Sequence, residues 1–173
     1  MNTKALVTLS LLVGVGAVLH TVVPPIIFGV KPDMLLSMMF LGILLFPTLK
    51  YVAIVAIVTG IVSALTTTAP GGQIANLIDK PITAVIFLLL YLLLKNRLNN
   101  SISPPLLTAV GTMISGAIFL SVALFIIGLM DGSFLALFGL AVLPAALLNT
   151  IIMAVVFPIV QRIIKRSQPL VST

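Results

Sequence analysis

Thr66–Pro81 reads TTTAPGGQIANLIDKP, and it is the longest run in which this chain stops being apolar. Three threonines, two glycines, Gln73, Asn76, Asp79 and Lys80 stand here between two long apolar segments. Irregular backbone is not tolerated against lipid, so such a run leaves the bilayer or lines a cavity. We read it as part of a mouth between membrane-spanning walls.

Composition supports the walls. Of 173 residues, 61% are hydrophobic and 7% charged, and mean hydropathy is +1.36. A water-soluble domain carries roughly 25% charged residues. One crossing takes about 20 apolar residues, so the chain reads as a single integral membrane domain, residues 1–173, with no room for a second, soluble one. Cysteine is absent, which excludes disulfides and thiolate metal sites. The net charge of +6 would suggest nucleic acid in a soluble protein. Here the basic residues sit at span ends, where they anchor topology. The N-terminus carries one Lys and then a span without a small-residue cleavage site, so it reads as a retained first helix.

Working outward from the mouth gives an all-α bundle of six spans. Span 1 covers about 5–23, ended by Pro24-Pro25, neither of which can donate a helical hydrogen bond. After IIFGVKPDM, span 2 covers about 34–47, short for a crossing, with Pro32 and Asp33 suited to its first turn. Lys50 marks a tight turn into span 3, about 51–65. Beyond the mouth, span 4 covers about 82–94, with Asp79 as its cap and Pro81 in its first turn. The water-loving loop KNRLNNSISPP leads to span 5, about 106–129. Asp131-Gly132 signals a turn into span 6, about 134–160, which Pro144 and Pro158 should bend or end.

Charge orients this bundle. Loops 1, 3 and 5 contain Lys31, Asp33, Asp79, Lys80 and Asp131. Loops 2 and 4 and both tails contain only bases: Lys4, Lys50, Lys95, Arg97, Arg162, Lys165 and Arg166. The positive-inside rule places both termini in the cytoplasm, with the mouth and the KPD loop outside.

Enzyme chemistry fails by inventory. There is one His and no Glu or Cys, so a His/Glu metalloprotease cluster is absent; a serine hydrolase needs a base beside its nucleophile, and His20, the only candidate, has no acid near it in sequence. Gly111–Gly116 has P-loop glycine spacing, but Ala117-Ile118 stand where Lys-Ser/Thr is required. No metal or cofactor site is expected. A proton-coupled carrier buries an ionisable group at midplane, and every Asp here reads as lying at a span end. His20, near the outer end of span 1, is either an interfacial packing residue or a ligand contact.

A binding protein fits the residues better. Lys31/Asp33 and Asp79/Lys80 are acid–base pairs suited to a zwitterion, the base on its carboxylate and the acid on its ammonium. Helix capping and lysine snorkelling are the competing explanation. Gln73 and Asn76 offer donors and acceptors, or simply solvate a loop. Asn149 lies alone in LPAALLNTII, as an interhelical hydrogen-bonding group or as the floor of a pocket. Phe28, Phe87, Phe125, Phe134 and Phe138 are candidate walls for an aromatic ligand. Ser10 and Gly14, followed by Gly16 and Ala17, form a small-residue stripe on span 1, for packing within the bundle or docking of another membrane subunit.

GAVLHTVVPPIIFGVKPDMLLSMMFLGILLFPTLKY (Gly16–Tyr51) and SALTTTAPGGQIANLIDKPITA (Ser63–Ala84) resemble the bacterial tryptophan transporter family, within the substrate-binding (S) components of energy-coupling factor (ECF) transporters. These strings cover about a third of the chain. The resemblance implies capture of L-tryptophan at an outward-opening site, with loops Ile26–Asp33 and Thr66–Lys80 closing over it. It implies that the last three helices supply much of the pocket, which is Asn149's candidate role. It further implies a transmembrane coupling subunit and two cytoplasmic ATPases, the S component toppling in the membrane to deliver its cargo. S components commonly meet the coupling subunit through Ala-x-x-x-Ala on helix 1, where this chain has Ser10 and Gly14. The alternatives are an S component for another amino acid or vitamin-like ligand, a stand-alone ion-coupled carrier, and a non-transporting membrane assembly protein.

Overall fold

The computed structural model describes residues 2–26, 29–95 and 102–167. Six helices follow in order: α1 (Thr3–Val22), α2 (Met34–Leu45), α3 (Leu49–Thr66), α4 (Gly72–Leu94), α5 (Ser103–Ser121, extended by wide π turns over Val122–Ile127) and α6. Helix α6 runs as Phe134–Leu137, π turns over Phe138–Val142, and Leu143–Ser167. Five of the six are long and apolar enough to cross a membrane.

The exception, α2, explains itself by position. Its 12 residues rise only about 18 Å, against a hydrocarbon core of about 30 Å. Residues Leu35 to Leu44 are all buried, and α2 touches each of the other five helices. A helix that is apolar on every side belongs where protein surrounds it. Its start matches the sequence: Asp33 Oδ1 accepts the Leu36 N–H at 3.0 Å, satisfying one of the donors that a helix leaves free.

The core is anchored by Phe40 of α2 and Phe87 of α4, stacked with centroids 4.0 Å apart. A Cβ at Gly111 would lie 2.8 Å from both rings, so α5 closes on them only because that position has no side chain. A Cβ at Gly116 would collide with Val142 of α6. The glycines with P-loop spacing are thus contact points of a packed helix.

The principal correction to the sequence reading concerns the mouth. Residues Gln73 to Pro81 are not a loop before span 4: α4 begins at Gly72, preceded by Gly71 in the left-handed conformation at φ 69°. Asp79 therefore does not cap the helix, and Pro81 lies inside it. An acid does sit within a span, buried at 0% exposure. Its partners on α4 and α5 make that tolerable, as set out below. Helix α6 likewise continues through Pro144 and Pro158, to Ser167, with the π turns over Phe138–Val142 just before Pro144.

The two ends of the bundle differ. The Asn2 backbone N–H donates to the Tyr51 hydroxyl at 2.8 Å, placing the chain start beside the α2–α3 turn. The opposite end carries the α1–α2, α3–α4 and α5–α6 connections. Residues 96–101 of the basic loop, with Arg97, and the candidate wall residue Phe28 lie outside the described residues.

Candidate functional site

A cavity of about 340 Å³ opens at the end formed by those three connections. Small-molecule sites occupy about 300–1,000 Å³. The chain leaving α1 and entering α2 contributes His20, Val30, Lys31, Pro32, Asp33 and Leu36. Helix α3 and the following turn contribute Ser63 and Thr66 to Ala69, and α4 contributes Asn76, Asp79 and Lys80. Helix α5 supplies Thr112, Ser115, Gly116, Phe119 and Leu120; Met130 and α6 complete the wall with Leu137, Ala141, Val142 and Ala145. Phe119 and Leu120 lie in the last turn of regular helix before the π turns of α5, and Ala141 and Val142 lie within those of α6. Widened turns are found often at functional sites.

The charges converge on one wall. Lys80 Nζ lies 3.0 Å from Asp33 Oδ2 and 3.0 Å from Asp79 Oδ2. Ser115 Oγ donates to Asp79 Oδ2 at 2.7 Å, and Thr83 Oγ1 donates to Asp79 Oδ1 at 2.7 Å. Asp79 is therefore saturated by three partners and fully buried. Lys80, with its side chain 3% exposed, is locked between two carboxylates. A buried charge is tolerable only when paired and hydrogen-bonded in this way.

Asp33 differs, because its side chain keeps 26% of its surface open. Burial pushes its carboxyl pKa up, but the Lys80 ammonium, His20 and the Leu36 N–H outweigh this and hold it below its ordinary value. Lys31 Nζ donates to the His20 carbonyl at 3.0 Å, at the negative end of α1. Its other two N–H groups have no partner among the described residues. His20 Nδ1 stands 3.7 Å from Asp33 Oδ1, too far for a hydrogen bond. The structure thus brings the histidine beside an acid 13 positions away that is not its neighbour along the chain.

Six of the eight candidate binding residues line the cavity: His20, Lys31, Asp33, Asn76, Asp79 and Lys80. Gln73 does not; it is exposed on the outer side of α4. Asn149 is buried one layer behind the wall, donating Nδ2 to Thr112 Oγ1 at 3.2 Å, so it backs a lining residue and is not the floor itself. The aromatic candidates fare less well. Phe87 is spent on the Phe40 stack, and Phe125, Phe134 and Phe138 stack in series away from the cavity. The lining phenyl ring is Phe119. Sequence reading missed it, along with Ser63, Thr112 and Ser115. One signal was available: Thr108, Thr112 and Ser115 fall at helical spacing on a single face of an apolar span, and all three are buried.

Helices of membrane-spanning character around an amphipathic cavity define a multi-pass membrane protein with a cavity of small-molecule size. Over residues 2–165 the chain matches the family described as tryptophan transporter TrpP, and it belongs to that family. It is 53% identical over 167 residues to a probable tryptophan transport protein of Bacillus subtilis strain 168, covering 96% of each chain. It is 42% identical over 162 residues to a probable tryptophan transport protein of Clostridium acetobutylicum, covering 94% of each. Another from Clostridium perfringens strain 13 is 34% identical over 175 residues, covering 96% of each. No solved structure matches the chain.

Proposed function

We infer that this chain captures L-tryptophan with high affinity in the cavity between α1–α2, α3–α4 and α5–α6, and serves as the S component of an ATP-driven ECF transporter. Family membership supports the substrate. The observation that carries the site is the juxtaposition of Asp33 and Lys31 on a cavity whose remaining wall is mostly apolar. The partly open Asp33 carboxylate receives the ligand ammonium, and the spare donors of Lys31 receive its carboxylate. Asp79 and Lys80 do not need to touch the ligand; they fix Asp33 in place. The indole lies against Phe119, Leu120, Val142 and Ala145.

The cavity end faces outward in this reading, and both termini are cytoplasmic. The charge partition supports it: the ends bearing only bases are those of Asn2 and Tyr51. Because the chain has no cysteine, single cysteines placed at Gln73 and Lys50 can be labelled without background. A membrane-impermeant thiol reagent added to intact cells should modify the first and spare the second; the reverse pattern would contradict this orientation.

Docking to a coupling subunit is assigned to the outer face of α1. Ser10 and Gly14 are exposed there, beside Leu11 and Val18, whereas Gly16 turns inward onto Met38. A Cβ at Gly14 would meet nothing within 4 Å, so Gly14→Leu leaves this chain undisturbed while adding bulk to the face. Ligand binding should be unchanged, and co-purification with the coupling subunit should fall at least tenfold. Wild-type co-purification would remove Gly14 from the interface.

The buried Asp79 gives a specific reason to test the ion-coupled alternative, since it is an acid inside a span. Its lone pairs are engaged by Lys80, Ser115 and Thr83, which favours a structural role. Reconstitution decides the matter. The purified chain alone in liposomes should accumulate no tryptophan under a proton or sodium gradient, and should do so once the coupling subunit and ATPases are added with ATP. Uptake by the chain alone would overturn the S-component assignment.

A further inference from the structure

We propose that Asn76 is the residue that selects an indole ring, its Oδ1 accepting the ring N–H; the proposal rests on the tryptophan reading above. Asn76 is 6% exposed and lines the cavity. Its amide nitrogen donates to Gly72 O at 2.9 Å and to Ser63 O at 3.4 Å. Both partners are backbone carbonyls, which only accept, so the amide cannot be turned the other way. Both N–H groups are thereby used, and Oδ1 is left as an acceptor with no donor among the described residues. Beside it, the Ser63 hydroxyl also lines the cavity, buried and without a partner. The α3–α4 wall therefore holds an unfilled polar spot, across the cavity from the apolar lining of α5 and α6.

Asn76 lines the same cavity as the charged groups. Asn76 stands one turn before Lys80 on α4, about 6 Å along the axis, and Lys80 reaches Asp33. A tryptophan whose ammonium meets Asp33 carries its ring N–H away from that end, toward Asn76. An indole N–H taken out of water must find an acceptor, and a site built around such a contact discriminates strongly against ligands that lack it.

The test compares L-tryptophan with L-3-benzothienylalanine, in which sulfur replaces the ring N–H at nearly constant shape, by calorimetric titration of the purified chain. The wild type should bind the sulfur analogue about 10- to 100-fold more weakly. In Asn76→Leu, tryptophan should lose most of that margin while the analogue does not, so the ratio falls toward one. Asn76→Ala, a smaller intrusion between α3 and α4, should show the same collapse, each variant being read only as a monodisperse species. Equal affinity of the wild type for both ligands would overturn the proposal alone, as would a ratio that survives in either variant. Failure of the wild type to bind tryptophan at all would overturn the tryptophan reading, and this proposal with it.

Discussion

Asp79→Ala is expected to destabilise the bundle by about 3–5 kcal/mol, the range found when one partner of a buried ion pair is removed. The carboxylate is fully buried and engages Lys80, Ser115 and Thr83 at 2.7–3.0 Å. Without it, Lys80 keeps Asp33 and a longer contact to Ser115 Oγ at 3.4 Å, and two hydroxyls on α4 and α5 lose their acceptor. Thermal unfolding in detergent should show a clear fall in midpoint and poor recovery of monodisperse protein. The double variant Asp79→Ala/Lys80→Met removes the stranded ammonium together with its partner, and should be less destabilised than the single one. A single variant that unfolds like the wild type would show that the cluster does not hold α4 to α5.

Asp33→Asn is expected to leave the fold and abolish most of the affinity. Asparagine caps a helix about as well as aspartate, so the Leu36 N–H keeps its acceptor and α2 its start. Lys80 retains Asp79. The ligand ammonium, however, loses its counter-charge within a confined site, which costs about 2–5 kcal/mol in comparable pairs. Tryptophan affinity should fall about 30-fold or more. The pH dependence follows from the depressed pKa of Asp33 in the folded protein. Held below its ordinary value, the carboxyl stays ionised as a counter-charge until pH falls through that lower folded value. Binding should therefore persist through pH values at which a free carboxylate is half protonated. Wild-type affinity in Asp33→Asn would place the ammonium elsewhere.

Much of the fold could be read from the chain because lipid imposes a simple rule. Apolar runs become helices, prolines such as Pro24-Pro25 end them, and Asp33 caps α2 as its position before Met34 implies. The start of α4 could not be read this way. Gln73, Asn76, Asp79 and Lys80 looked like solvated loop because charges in a span are costly, and what offsets that cost lies far off along the sequence. Lys80 meets Asp33 47 residues away, and Ser115 meets Asp79 36 residues away. Nothing local to Asp79 announces either contact.

The site was legible in its charges but not in its shape. Lys31, Asp33, Asn76, Asp79 and Lys80 are polar residues in an apolar chain, and five such residues within two segments stand out. Asn149 stood out equally, yet helix rotation places it behind Thr112, and a sequence without partners gives no rotation. The same limit applied to the aromatic residues. Phe87 and Phe119 look alike in sequence; one fills the core and the other faces the cavity.

The account depends most directly on whether this cavity takes tryptophan. The chain contains no Trp, so ligand fluorescence can be followed against a dark background in the purified protein. The account predicts saturable binding of one L-tryptophan per chain, with the emission shifted as the indole leaves water, and with that response lost in Asp33→Asn. Absence of saturable binding by the folded wild type, or the same binding curve in Asp33→Asn, would contradict it.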